Sequence, residues 1–214
     1  MSDAELPQAS YLLMRYIPGT VNPDRLLKTA KLPAKTLTAI GKCVATVLAT
    51  LHEQTFPYMR SSATRYKTWG EAMQLEQLAA RSPFSAAWLE KLEHSLETTH
   101  YRRFSRGHLI HSDANLNNVL VDEKDYSFRA LIDPGPTMIG MPMFDLAYAA
   151  WPWQYGLDYM ITLTETYQQL SPHYNETLFY TSLMLIAYQQ AEYGNFTAEH
   201  LAFLERHIEP NLNV

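Results

Sequence analysis

The chain has 214 residues, of which 47% are hydrophobic and 18% charged, a balance typical of a folded globular protein rather than a disordered or fibrous one. Its single cysteine, Cys43, excludes an internal disulfide framework and is typical of proteins from a reducing compartment. No apolar run approaches the roughly 20 residues that span a bilayer, and the polar N-terminus lacks a secretory pattern. We therefore expect a cytoplasmic protein that does not bind a membrane.

The net charge of −5 is unevenly distributed along the chain. Residues 145–214 contain eight acidic residues and one basic residue, Arg206. An acidic C-terminal third does not favour nucleic acid as a partner, and it would suit a cationic small molecule. A solvated acidic helix surface explains the same charge equally well.

The N-terminal part predicts a strand followed by helices. The apolar run YLLMRYI at 11–17 ends at a Pro-Gly pair, as a strand followed by a turn does. Asn22, directly before a proline, predicts the start of a helix. Apolar residues at helical spacing over 37–51 then predict a long amphipathic helix that ends near His52. Taken alone, His52 is better explained as a hydrogen-bonded core histidine than as a ligand.

The rest of the chain predicts helices on both sides of a short β-rich centre. Two helices are expected at 69–80 and 84–99, followed by strands at 107–111, 118–122 and 128–132. After the break at DPGP, helices are expected at about 143–151, 156–170, 173–191 and 197–208. Segregated elements of this kind predict an α+β fold, mainly α-helical, with a small central β-hairpin region.

Polar side chains in this centre form a candidate site for phosphoryl transfer. A hairpin would place Asn118, at the start of one strand, beside Asp133, at the end of the next. An amide oxygen and a carboxylate make a hard oxygen site suited to Mg²⁺, and Asp113 could accept or orient the proton of a hydroxyl. Each residue also has an ordinary structural explanation as a turn former.

Three segments of this centre resemble the aminoglycoside phosphotransferase and choline kinase family, which has the protein-kinase-like fold. They are HSDANLNNVLVD, ALIDPG and FDLAY. The resemblance implies a catalytic loop at 111–118 in which Asp113 faces the acceptor hydroxyl. It also implies that His111 braces this loop by hydrogen bonds, and that Asn118 and Asp133 hold Mg²⁺. The implied activity is transfer of phosphate from ATP or GTP to a small molecule.

Two further segments extend the resemblance. YLLMRYIPG is similar to the last strand and hinge of the family's N-terminal lobe, which implies nucleotide contacts from Met14, Arg15 and Tyr16. LATLHEQ is similar to the end of the first long helix of the C-terminal lobe, and Asp145 is implied to support the catalytic loop from a later helix. The implied division is an N-lobe remnant at 1–20 and a kinase-like C-lobe at 21–214, with a metal-binding segment at 132–135 and C-terminal helices at 143–208.

The family's N-terminal lobe is larger than the ten residues that precede Tyr11. In the family it supplies a phosphate-covering loop, a strand Lys and a helix Glu that holds this Lys. Three explanations stay open: a piece of a longer kinase, a lobe completed by another chain, or a non-catalytic lobe that acts as a binding module. Self-association or a partner chain would cover the exposed hinge strand.

The acceptor in the family lies between the catalytic loop and the C-terminal helices. The candidate acceptor contacts in this region are Trp151, Trp153, Tyr155 and Asp158. Aromatic and acidic side chains suit a cationic amine such as an aminoglycoside or a choline-like compound, although a helix core followed by a turn explains the same pattern. A metal-dependent hydrolase that uses the histidine and the two carboxylates of the centre is the rival enzyme.

Overall fold

The computed structural model describes residues 16–29, 32–57, 85–98, 106–134, 137–192 and 197–211. Its helices are α1 (Pro23–Lys28), α2 (Ala34–His52), α3 (Ala86–Thr98), α4 (Pro142–Ala150), α5 (Pro152–Tyr155), α6 (Leu157–Leu170), α7 (Glu176–Glu192) and α8 (Ala198–His207). Its strands are β1 (Thr20–Val21), β2 (Thr55–Pro57), β3 (Arg106–Ile110), β4 (Val119–Asp122), β5 (Phe128–Leu131) and β6 (Met138–Gly140). The expected mainly helical α+β fold is confirmed.

The described strands form two antiparallel sheets, ordered β1-β4-β5 and β2-β3-β6. The predicted hairpin forms between β4 and β5, with Val119 opposite Leu131. The strand before the polar octet belongs to the other sheet, where Leu109 lies opposite Ile139. The predicted catalytic loop at 111–118, called the catalytic loop below, therefore connects the two sheets. Strands β1, β2 and β6 were not predicted, because two or three residues are too few to show a periodic pattern.

The predicted start of a helix at Asn22 and the predicted long amphipathic helix are both confirmed. Asn22 caps α1 by accepting a hydrogen bond from the backbone N–H of Arg25 at 3.3 Å. The predicted long helix is α2, which packs against α6. This contact is close, because a Cβ at Gly41 would lie 3.1 Å from the ring of Tyr159. Among the residues described, α2 is also the one helix whose length and composition would allow it to cross a membrane.

Helix α4 lies directly beneath the catalytic loop. Every residue of the helix except Tyr148 is buried, and its contacts reach β3, α2, α6 and α7. It begins with Pro142 at its first position. It ends at Trp151, whose φ of 30° is left-handed. This placement brings the acidic residue of its first turn, Asp145, into the core below the loop.

The remaining predicted elements have mixed outcomes. The predicted helix at 84–99 corresponds to α3, and the predicted C-terminal helices to α4, α6, α7 and α8. The short α5 was expected only as part of a turn. The predicted helix at 69–80 and most of the predicted strand at 11–17 lie outside the described residues.

Candidate active site

Asp145 supports the catalytic loop through the backbone. Its carboxylate is completely buried. Oδ2 accepts a hydrogen bond from the backbone N–H of His111 at 2.8 Å, and Oδ1 accepts one from the backbone N–H of Ser112 at 2.8 Å. Directly after these two donors the backbone turns sharply, because Ser112 is left-handed, with φ of 63°. The start of the loop is therefore fixed by main-chain donors.

A chain of buried polar groups continues from Asp145 into the core. His52 Nε2 lies 3.0 Å from Asp145 Oδ2, and His52 Nδ1 lies 2.7 Å from the hydroxyl of Tyr167. Because an ionised carboxylate only accepts, we assign the proton to Nε2 and let Nδ1 accept from Tyr167. The Tyr167 oxygen is also bonded to the Ser171 side chain, and burial raises the pKa of this phenol well above its ordinary value. His52 is thus the hydrogen-bonded core histidine expected from the sequence.

His111 connects the catalytic loop to the segment that carries Asp133. The imidazole is buried, and its Nε2–H donates to the backbone carbonyl of Ile132 at 2.9 Å. The next residue, Asp133, is left-handed with φ of 60°, a conformation that aspartate tolerates better than most residues. His111 therefore links these two segments by a hydrogen bond.

Asp113 is held by an amide on each side of its carboxylate. Oδ2 accepts a hydrogen bond from Asn118 Nδ2 at 2.7 Å, and Oδ1 accepts one from Asn115 Nδ2. The pKa of Asp113 is raised above its ordinary value, mainly by burial and further by the charge of Asp133. The bond from Asn118 and the nearby His111 act in the opposite direction. A half-buried carboxylate with a raised pKa is suited to accept a proton.

Asn118 and Asp133 come together as the hairpin requires. The carbonyl of Asn118 accepts a hydrogen bond from the backbone N–H of Ile132 at 2.7 Å, directly before Asp133. The amide nitrogen of Asn118 is committed to Asp113, both to its carboxylate and to its backbone carbonyl. This orientation leaves the amide oxygen as the group of the Asn118 side chain that can bind a cation.

This donor set fits Mg²⁺. Mg²⁺ is commonly held by one or two protein oxygens, with water and phosphate completing its shell. The charge of Asp133 raises the pKa of Asp113, so two like charges lie near each other, an arrangement that a divalent cation would relieve. The described residues contain no group of three or more His, Cys, Asp or Glu side chains that could hold a metal ion. The metal-dependent hydrolase considered from the sequence, which would use the histidine and both carboxylates, therefore gains no support from the described residues.

A cavity of about 470 Å³ opens beside the catalytic loop. The described residues that line it are Asn115, Asn117, Tyr148, Trp151, Gln154, Tyr155, Gln190 and His200. Two of the four candidate acceptor contacts, Trp151 and Tyr155, are among them. Tyr155 also supports the loop, because its hydroxyl accepts a hydrogen bond from the backbone N–H of Leu116 at 3.2 Å.

The other candidate residues lie elsewhere. Asp158 is exposed in the first turn of α6, outside the described lining of the cavity. The side chain of Trp153 lies outside the described part of the chain, as do Met14 and Arg15. Tyr16, the third expected nucleotide contact, is 83% exposed. Asp158 and Tyr16 are thus both exposed, and neither is among the described residues that line the cavity.

Several contacts around the loop were not anticipated from the sequence. Asn22, beyond capping α1, donates hydrogen bonds to the backbone carbonyls of Asn117 and Val119. Asp24 is only 2% exposed and accepts a hydrogen bond from Gln154 of the cavity wall. The capping signal located Asn22, but nothing local in the sequence indicates that α1 docks on the catalytic loop.

The family model for the phosphotransferase enzyme family (APH) matches residues 2–180 of the chain. No match was found among curated proteins. Many solved structures are similar in fold. A macrolide 2'-phosphotransferase type I is 16% identical, with a TM-score of 0.55, over 83% of this chain and 60% of that one.

Two other solved structures have comparable similarity. A glucosamine kinase is 16% identical, with a TM-score of 0.55, over 92% of this chain and 58% of that one. An aminoglycoside phosphotransferase, APH(4)-Ia, in ternary complex with ADP and hygromycin B is 18% identical, with a TM-score of 0.58, over 85% of this chain and 66% of that one. This chain thus spans about three fifths of the length of the first two. With most of its residues matched by the family model, the chain belongs to the phosphotransferase enzyme family.

Proposed function

We propose that this chain carries the acceptor site and the metal site of a phosphotransferase that moves the γ-phosphate of ATP or GTP to a hydroxyl of a small molecule. The observation that carries the proposal is the position of Asn115. This residue lines the cavity and donates a hydrogen bond to Asp113. An acceptor in the cavity would therefore have its hydroxyl within reach of a carboxylate suited to take its proton.

The proposed transfer is a direct displacement at phosphorus. The acceptor oxygen forms a bond to the γ-phosphorus while the bond from this phosphorus to the β–γ bridging oxygen breaks, and its electron pair leaves with the nucleoside diphosphate. The hydroxyl proton passes to Asp113, whose raised pKa favours acceptance. The buried support from Asp145 and His52 would keep the loop in place during this step.

Asn118 and Asp133 are the proposed Mg²⁺ ligands. When bound, the metal would neutralise charge on the phosphates. The hydrogen bonds of Asn118 to Asp113 orient its amide oxygen, and the backbone bond from Ile132 holds Asp133 nearby. Met14, Arg15 and Tyr16 are retained as proposed nucleotide contacts on the basis of the family resemblance.

The proposed acceptor is a small compound with a hydroxyl group, and cationic amines are the first class to test. Trp151 and Tyr155 supply aromatic rings to the cavity, and aromatic faces attract cations. The excess of acidic residues over 145–214 would favour the approach of such a compound. Neutral sugars form the comparison class in the experiment.

The test is phosphate transfer from ATP and from GTP, with Mg²⁺, to a panel of aminoglycosides, choline-like amines and neutral sugars. We expect transfer by the wild type and a loss of about 100-fold or more in Asp113→Ala. Asp125→Ala, which changes charge equally on the exposed β4–β5 turn, is the matched control. Equal rates in the wild type and Asp113→Ala would exclude Asp113 as the base. Nucleotide binding without transfer to any acceptor would favour the alternative that the chain is a non-catalytic lobe acting as a binding module.

A further inference from the structure

We propose that Asn115 is a positioning residue whose amide orients the Asp113 carboxylate and occupies the oxygen that an acceptor hydroxyl must reach. The functional part of this inference rests on the proposed phosphotransferase activity. The positioning part does not, because the hydrogen bond exists in the chain without any ligand. The experiment below separates the two.

The hydrogen bonds of Asn115 determine which way its amide faces. Its Oδ1 accepts a hydrogen bond from the backbone N–H of Asn117 at 2.8 Å, which caps the 3₁₀ turn Leu116–Asn118. An N–H donor requires an oxygen on this side, so the NH₂ group must lie on the other side, where it donates to Asp113 Oδ1 at 2.5 Å. Both ends of the amide are engaged, which fixes its rotamer and its distance from Asp113.

The two amides that hold Asp113 face different parts of the site. Asn118 binds Oδ2 and lies on the side of the proposed metal ligands. Asn115 binds Oδ1 and lines the cavity. A hydroxyl that arrives from the cavity therefore meets Asn115 first. It reaches Oδ1 by replacing the Asn115 donor with its own O–H, which exchanges one hydrogen bond for another.

This exchange has consequences for rate and for affinity. While bonded, the Asn115 amide holds Asp113 Oδ1 beside the cavity. Without the amide, Oδ1 would lose its donor, and Asn118 alone would hold the carboxylate, through Oδ2. The acceptor, in turn, would no longer have to displace a competing donor. We therefore expect a lower kcat with no rise in KM for the acceptor.

The test uses Asn115→Ser, since serine remains a good cap for the 3₁₀ turn but lacks the amide donor. The full chain is labelled with ¹⁵N, and the side-chain NH₂ resonances of Asn115 are assigned by their absence in Asn115→Ser. In Asp113→Ala, which removes the acceptor, we expect this NH₂ group to exchange its hydrogens with solvent faster than in the wild type. Asp125→Ala, on the exposed β4–β5 turn, should leave the exchange unchanged.

Kinetics supply the second readout. In Asn115→Ser we expect kcat to fall about 10-fold and KM for the acceptor not to rise. Equal hydrogen exchange of the Asn115 NH₂ group in the wild type and in Asp113→Ala would overturn the inference whatever the activity. A raised KM with unchanged kcat would make Asn115 an acceptor contact and would also overturn it. Faster exchange of the Asn115 NH₂ group in Asp113→Ala, in a chain whose wild type transfers no phosphate, would support positioning and reject the proposed function.

Discussion

His52 Nε2 lies 3.0 Å from Asp145 Oδ2, and both side chains are completely buried although 93 residues separate them in the chain. The pair joins the end of α2 to the first turn of α4. A buried carboxylate is tolerated only when its oxygens are satisfied, and here the imidazole and two loop N–H groups satisfy them. The same contacts therefore hold the core together and define the backbone of the candidate active site.

Removing this carboxylate should destabilise the whole fold. In Asp145→Ala, His52 and two backbone N–H groups lose their partner inside the core, and we expect the free energy of unfolding to fall by about 3–5 kcal/mol. Urea unfolding followed by circular dichroism measures the change. Asp125→Ala, which removes only the hydrogen bonds of an exposed turn, should cost about 1 kcal/mol or less. A loss in Asp145→Ala as small as in this control would show that the network contributes little.

Tyr167→Phe tests the far end of the same network. The substitution removes a hydroxyl that bonds His52 Nδ1 and the Ser171 side chain. Because His52 Nδ1 would remain buried without a partner, we expect a loss of about 1–3 kcal/mol in the free energy of unfolding. Tyr16→Phe, on a side chain that is 83% exposed, should be nearly neutral. Similar effects of the two substitutions would contradict the assigned hydrogen bond.

Asp113→Asn should make the protein more stable at neutral pH. The folded-state pKa of Asp113 is raised by burial, above an unfolded value of about 3.9. The native state therefore binds this proton more tightly, and stability decreases as pH rises from the unfolded pKa through the folded pKa. Asparagine avoids this ionisation and keeps an oxygen that can accept from Asn118. It loses the hydrogen bond from Asn115, but this loss is the same at every pH, so the pH dependence reports the ionisation.

Urea unfolding at a series of pH values checks the direction of this pH dependence of stability. The advantage of Asp113→Asn should be present at pH 7, shrink as pH falls, and disappear below the unfolded pKa, where wild-type Asp113 is protonated in both states. Asp125→Asn provides the comparison at the exposed turn, where the carboxylate pKa is lowered by hydrogen bonds from Ser127. Lower stability of Asp113→Asn at pH 7 would mean that the ionised carboxylate stabilises the loop.

Asp133→Asn should weaken the Mg²⁺-dependent part of nucleotide binding. Asparagine tolerates the left-handed backbone at this position as aspartate does, so the change removes a charge with little effect on the turn. Calorimetric titration with ATP should show a Kd about 10-fold or more higher than that of the wild type when Mg²⁺ is present. Without Mg²⁺ the two proteins should bind alike. An equal loss under both conditions would indicate a damaged fold rather than a lost metal ligand.

The sequence predicted the parts of the site that depend on local patterns. Alternating strands around a short turn predicted the hairpin that joins Asn118 to Asp133, and helical spacing predicted α2 with His52 at its end. Contacts between distant elements could not be predicted in this way. The docking of Asn22 on the catalytic loop depends on where α1 packs, and the link from His52 to Tyr167 depends on the crossing of α2 and α6. No local sequence pattern indicates either of these two contacts.

Asp145 supports the catalytic loop by binding its main chain. Its carboxylate binds the N–H groups of His111 and Ser112, which any residue except proline would present. The side chains that face the cavity, such as Asn117 and Trp151, take no part in that support. Exchanging cavity side chains other than Asn115 and Tyr155, which bond the loop backbone, can thus alter selectivity for the proposed acceptor while the loop keeps its geometry. A library restricted to these positions would retain the fold and vary the ligand.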